Sequence, residues 1–271
     1  MSQLLPLTGR VAIVTGANHG IGAASARRLG TLGADVLITY LRGTNRATGD
    51  IPPECAHAGA RDGSAVVSEI IEGGRKAVAV EADLSDTARI PELFVRAETE
   101  LGPVDIIVNN ASGWTAETYL ETRAALGIDR SSVTAATIDQ VMAVDARAAA
   151  LMIAEFSRRL IARAGSWGRI IGLTSGGPEG FPTEVSYGAA KAAQENYTMS
   201  AATELAPYGV TANVICPGVT DTGWVNDDVR AFVARSAGHT YVATSEEVAN
   251  IIVWLCTNDA KLVTGNVIRL R

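Results

Sequence analysis

Seven short apolar runs, rich in Val and Ile, alternate with longer amphipathic stretches along this 271-residue chain, and that alternation limits its fold more than any other feature. The runs are VAIVT (11–15), DVLITY (35–40), AVAVE (77–81), VDIIVN (104–109), RIIGLT (169–174), VTANVIC (210–216) and GNVIRL (265–270). Continuous apolar runs of this length read as strands buried on both faces, as in a parallel sheet covered by helices. The stretches near 21–32, 64–73, 87–101, 139–164, 186–206 and 245–257 carry the helical pattern. The alternation predicts an α/β fold: one Rossmann-type doubly wound domain over residues 1–271, with a parallel sheet of about seven strands.

Composition narrows the function. Apolar residues make up 47% of the chain, enough for a sizeable core. A net charge of −6 gives no basic face for a phosphate backbone, so nucleic acid is not an expected partner. No apolar run approaches the roughly 18–20 residues that span a bilayer, and the start MSQLLPLTGR lacks the regions of a signal peptide. No membrane partner is expected, and the expected location is cytoplasmic. Cys55, Cys216 and Cys256 are too scattered for a disulfide framework or zinc site, as are His19, His57 and His239, so no metal is expected. Arginine outnumbers lysine 20 to 3, and one of the three lysines is Lys191.

Two connections exceed the roughly 2–6 residues usual between strand and helix. Residues 41–63 are rich in Gly, Pro and polar side chains, and residues 111–137 include a stretch expected to hold a short helix. Both leave the sheet at carboxyl ends of strands, where open α/β sheets bind ligands, and each reads as a lid, a pocket wall or a solvated insertion.

The first strand runs into TGANHGIG, residues 15–22, and then into a helical stretch. Gly16, Gly20 and Gly22 allow a tight turn and let backbone N–H groups approach a pyrophosphate at the helix N-terminus. The GxxxGxG spacing differs from the usual GxGxxG, and it is followed by NNAS after the fourth strand and YxxxK after the fifth. Together these motifs resemble the classical short-chain dehydrogenase/reductase family, and in particular its 3-oxoacyl reductase-like ketoreductases.

The resemblance implies a nicotinamide cofactor. It assigns the diphosphate to the glycine turn with Asn18, His19 and Ile21, the adenine end to Asp83 and Leu84, and the central strand end to Asn109 and Ala111. Pro217, Gly218 and Thr222 in CPGVTDT correspond to the family's PG motif, with Thr222 near the carboxamide. Asp83 has a second reading as a helix N-cap, because DLSD also opens a helical stretch. The second strand ends ITYLRG, with Arg42 and no carboxylate, which favours NADP(H) over NAD(H). His19, where the family often has a second basic residue, adds no charge when neutral.

Hydride transfer to a carbonyl carbon needs a proton for the oxygen, and the reverse needs a base. Tyr187 can serve both, although at an unperturbed pKa of about 10 only about 0.1% is phenolate at pH 7. Lys191 lies one turn further along the same helix face, where its ammonium would stabilise the phenolate. The resemblance adds that this lysine binds the nicotinamide ribose. The family's serine stands thirteen residues before the tyrosine; that position is Thr174, and Ser175 is twelve before. Either hydroxyl could polarise a carbonyl, and Ser175 is preferred because a loop absorbs a one-residue deletion. The family's fourth residue, an asparagine whose amide braces a helix kink, is here Asp145. A carboxylate only accepts hydrogen bonds, so it must pair with a cation or take up a proton.

The resemblance places substrate contacts in residues 223–241 and in those after the serine, which makes Phe181, Trp224 and Phe232 candidate pocket aromatics, with Trp114 in the long connection as another. The resemblance also implies a homodimer or homotetramer through the helices at 139–164 and 186–206. The leading expectation is an NADP(H)-dependent reductase of ketones or aldehydes, with 3-oxoacyl or polyketide-type carbonyls as substrates. The alternatives are an NAD-dependent alcohol dehydrogenase and a redox-inactive nucleotide-binding sensor or scaffold.

Overall fold

A computed structural model describes residues 5–42, 59–120, 124–125, 128–177 and 179–271. The strands are β1 (Val11–Val14), β2 (Asp35–Tyr40), β3 (Ala77–Glu81), β4 (Val104–Asn109), β5 (Gly168–Leu173), β6 (Val210–Cys216) and β7 (Asn266–Arg269). They form one parallel sheet in the order β3-β2-β1-β4-β5-β6-β7. The order reverses between β1 and β4, so a crevice opens beyond their carboxyl ends. Strands β1, β4 and β5 are buried throughout. The edge strands β3 and β7 are half-exposed, contrary to the reading of every run as doubly buried, because each has one neighbour and less helical cover.

Helices pack on both faces. On one, α1 (Gly20–Thr31), α2 (Ser64–Glu72) and α8 (Ser245–Leu255) bury Leu29, Ile70 and Ile252. On the other, α3 (Arg89–Glu100), α5 (Ala149–Ala162) and α6 (Val185–Glu204) enclose Phe94, Phe156 and Leu160. Helix α4 (Ala135–Val141) continues through a π-helical segment, Met142–Ala148, directly into α5. Capping boxes at Thr134–Thr137 and Thr244–Glu247 fix the starts of α4 and α8. Helix α7 (Asp227–Arg235) was not anticipated; the Asn226 side chain accepts from Val229 N–H, and Asp227 and Asp228 complement the helix dipole. Among the described residues, no helix is long and apolar enough to cross a membrane.

The short helix expected within 111–137 is replaced, ahead of α4, by two-residue β pairs. Glu117–Thr118 pairs with Ser131–Ser132, and Ala124–Ala125 with Ile128–Asp129. Tertiary hydrogen bonds outweigh local helix propensity there: Glu117 N–H donates to Thr183 O at 3.1 Å, and its carboxylate accepts from Ser186 N–H at 2.6 Å. Most of the other long connection, with Cys55 and His57, lies outside the described residues.

At the opposite, amino-terminal rim, the Arg10 and Arg169 guanidinium carbons lie 3.9 and 4.1 Å from the Trp167 ring centroid. Asn258 Oδ1 accepts from Trp167 Nε1 and from Arg169, tying β5 to the turn after α8.

Candidate active site

The glycine turn is built by close approach. Gly16 has φ +63°, and a Cβ there would lie 2.8 Å from Ala111 Cα; one on Gly22 would meet Gly16 O at 2.5 Å. Asn110, the second asparagine of NNAS, holds the turn from β4: its Nδ2 donates to Thr15 O and Gly16 O, both at 2.8 Å. Thr15 Oγ1 accepts from the Asn110 and Ala111 N–H groups. Among the described residues, no side chain caps α1: His19 at its N-cap makes no side-chain hydrogen bond, and the first turn holds no acid. A helix start with unsatisfied N–H groups and no competing carboxylate suits an anionic pyrophosphate, so the residues present fit the implied nucleotide. Thr222 completes this region, its methyl 3.0 Å from where a Gly20 Cβ would stand. Pro217 and Gly218 are half-buried in the same segment, and Ile21 packs half-buried against the core.

Two groups that the sequence did not single out, Glu81 and Arg61, hold Arg42 and Asn18 near the end of β2 and the glycine turn. Arg42 is held at the strand end by Glu81, its Nε 3.1 Å from each carboxylate oxygen, and this exposed pair raises the arginine and lowers the glutamate from their ordinary pKa values. Asn18 Nδ2 donates to Arg61 O at 2.8 Å, placing residues 59–61 beside the turn. Burial and then the nearby Arg61 push the His19 imidazole below its usual range. Asp83 Oδ1 accepts from the Ser85 N–H and hydroxyl at 2.9 and 2.7 Å. Asp83 therefore closes a turn and is not a helix N-cap, since α3 begins at Arg89. Leu84 beside it is buried in the core.

The opposite wall gathers Tyr187, Lys191, Ser175 and Asp145. Tyr187 and Lys191 lie on α6, with the lysine Nζ 5.5 Å from the phenol ring centroid. Ser175 and Ser112 stand beside the Tyr187 side chain, close enough for their hydroxyls to favour its phenolate. Thr174 is buried and turned away, donating to Glu195 Oε1 at 2.6 Å. Burial, then Asp145, then Glu184 push the Tyr187 hydroxyl above the ordinary phenol value, and the neighbouring Ser175 and Ser112 offset part of this. Asp145, on the π-helical segment, is fully buried with Oδ1 2.9 Å from Lys191 Nζ; its Oδ2 accepts from Gly113 N–H at 2.7 Å. Of the two outcomes open to a carboxylate here, the geometry is pairing with a cation.

Lys191 Nζ also donates to Gln194 Oε1 at 3.2 Å, and Gln194 Nε2 to Asn109 O at 3.2 Å. Asn109 in turn donates from Nδ2 to Ala149 O at 3.4 Å, joining β4 to α5. Gln194 was readable as the one polar residue three places after Lys191; Ser112 and Asn110 were readable as neighbours within NNAS. Of the aromatics, Phe181 stands 6.0 Å from Tyr187 and Trp114 donates from Nε1 to Glu184 at 2.6 Å. Trp224 donates to Thr220 O, and Phe232 is exposed and packs on His239. Phe181 and Trp114 thus adjoin the Tyr187 wall.

A family model described as enoyl-(acyl carrier protein) reductase matches residues 16–270, nearly the whole sheet and both walls of this crevice. The chain is a classical short-chain dehydrogenase/reductase. This dehydrogenase/reductase is 32% identical to a 3-oxoacyl-[acyl-carrier-protein] reductase from Synechocystis over 261 residues, covering 96% of this chain and 94% of that protein. It is 34% identical to the cis-4-hydroxycyclohexanecarboxylate dehydrogenase of Sinomonas cyclohexanicum over 263 residues, covering 96% and 94%. A short-chain dehydrogenase from Burkholderia cenocepacia, solved in complex with NADP, superposes with a TM-score of 0.80 at 29% identity, covering 98% of this chain and 97% of that one. The protein is accordingly an oxidoreductase of this family.

Proposed function

We propose that this oxidoreductase is an NADP(H)-dependent ketoreductase that moves a hydride between the nicotinamide and a carbonyl or secondary alcohol, with 3-oxoacyl or polyketide-type carbonyls as the substrate class. The observation that carries the reading is the pairing of Tyr187 with Lys191 one helical turn away on α6, with Ser175 beside the phenol and an uncapped helix start across the crevice. When bound at the glycine turn, Asp83, Asn109 and the Pro217–Thr222 segment, the nicotinamide nucleotide supplies or accepts the hydride. In the reducing direction Ser175 polarises the carbonyl oxygen and Tyr187 gives it the phenol proton, which solvent later replaces. In the oxidising direction the phenolate removes the hydroxyl proton. Lys191 supplies positive charge and a donor for the ribose, and Phe181 and Trp114 wall the substrate side.

A second reading, NAD(H) as cofactor, draws on Glu81, whose carboxylate occupies Arg42 at the adenosine end. The proposal extends to a single domain over residues 1–271, a cytoplasmic location and a homodimer or homotetramer.

Turnover with NADPH and NADH against a panel of ketones tests the reading, with Tyr187→Phe as control. Loss of one phenolic proton donor is expected to cut turnover by about 10²–10⁴-fold while nucleotide fluorescence quenching is retained. Wild-type quenching without turnover on any ketone would instead support the nucleotide-binding sensor.

A further inference from the structure

The reading above gives Lys191 the task of lowering the energy of the Tyr187 phenolate, yet the buried lysine has a buried carboxylate at 2.9 Å. A single charge acts over a long range in a low-dielectric site, whereas a close pair of opposite charges acts as a dipole whose field falls off more steeply. Asp145 is held in place from two sides, by Lys191 and by the Gly113 N–H, and the π-helical segment that carries it packs directly against α6. A π-helical insertion changes the face on which a side chain emerges and recurs at functional sites.

The groups around the Tyr187 hydroxyl can be named by element. From α6 and its start come Lys191 and Glu184, and from the π-helical segment comes Asp145. From the loops after β5 and β4 come Ser175 and Ser112. Two carboxyl groups thus face one ammonium, and the serines are neutral. Glu184 accepts from Trp114 Nε1 at 2.6 Å, whereas Asp145 lies 2.9 Å from the lysine Nζ and is the acid in direct contact with it.

We propose that Asp145 is a built-in counter-ion for Lys191: by cancelling the lysine's charge at the Tyr187 hydroxyl, it extends carbonyl reduction to alkaline pH and displaces the onset of alcohol oxidation in the same direction. Both limbs move together because one proton, on one oxygen, serves both directions. Asp145 acts through Lys191 and is a positioning residue. The proposal rests on the assignment of Tyr187 as the acid–base group, but its first test needs no substrate.

The phenolate absorbance step of Tyr187 is isolated by titrating each protein against its Tyr187→Phe counterpart. In the wild type the step is expected above the value of about 10 typical of a free tyrosine; a step at or below that value overturns the proposal whatever the variants do. Asp145→Asn, which keeps an acceptor for Gly113 N–H, is expected to lower the step by about one pH unit or more, a tenfold change in the proton equilibrium. Asp145→Ser substitutes if the amide variant does not fold. Asp145→Glu, which keeps the charge, is expected to stay near wild type; an equal fall in both would mark a structural role and overturn the proposal, as would an unmoved step in Asp145→Asn. With ethyl acetoacetate and NADPH, and ethyl 3-hydroxybutyrate and NADP⁺, the alkaline limb of reduction and the acid limb of oxidation in Asp145→Asn should move down together. Absence of turnover in every protein, with the titration step behaving as stated, would refute the ketoreductase reading and leave the counter-ion standing.

Discussion

Ser175 and Thr174 are adjacent hydroxyls with different partners, and their separation can be measured. Thr174 is committed to Glu195, so Thr174→Ala should reduce stability by about 1 kcal/mol for a lost hydrogen bond and leave kcat nearly unchanged. Ser175→Ala should lower kcat by about tenfold or more through the lost carbonyl donor. The reverse ranking would move the role to Thr174. At the end of β2, Arg42→Ala should weaken NADPH by about 10-fold, the scale of a charge-assisted hydrogen bond, and NADH far less; comparable losses for both would support the NAD(H) reading. Glu184 offers a stability test, because burial raises its carboxyl. A raised folded value favours folding below the unfolded carboxyl value of about 4.3, and that contribution is lost as pH rises through the folded value. Glu184→Gln should therefore match wild type near pH 4 and melt higher near pH 7. The Tyr187–Lys191 spacing was legible because i and i+4 share a helix face in any helix. The Asp145–Lys191 contact was legible only as a need for some cation, since its partner depends on a π-helical segment that no residue pattern announces.

Helix α6 shows how a neighbouring element can set a site. Its start is held by Glu117 from the β pair after β4, through Ser186 N–H, and by the backbone bond from Glu117 to Thr183 O. Glu117→Ala removes a carboxylate cap, expected to cost about 0.5–2 kcal/mol, and should also reduce kcat by loosening the turn that carries Tyr187. Differential scanning calorimetry and turnover would report the two effects, and a fall in stability alone would separate the cap from the chemistry. The strands were legible at nearly their observed bounds because buried parallel strands have a simple apolar signature. The two-residue pairs near 117–132 had none, since their pairing is imposed by contacts with the start of α6 rather than by alternation. Helix α7 did carry a signal, Asn226 followed by two aspartates, but its short apolar stripe, Val229 and Val233, is easily read as loop.

Across the whole molecule, the candidate site lies at the carboxyl rim of the sheet, and the Arg10–Trp167–Arg169 stack lies at the other. Trp167→Ala should cost about 1–3 kcal/mol from lost packing and cation–π contact, seen as a lower Tm with kcat/KM unchanged. Met142, Leu151 and Tyr197 are exposed around one groove on the outer faces of α5, α6 and the π-helical segment. A Leu151→Arg and Tyr197→Glu double variant should shift light-scattering mass to that of one chain if this face joins subunits. The sheet itself ends openly at β3 and β7, both half-exposed. An open edge is a template on which a foreign strand can grow, and charges at its end discourage that growth. Glu81 closes β3 and Arg269 closes β7, so each edge strand ends in a charged side chain that a strand adding there would have to accommodate.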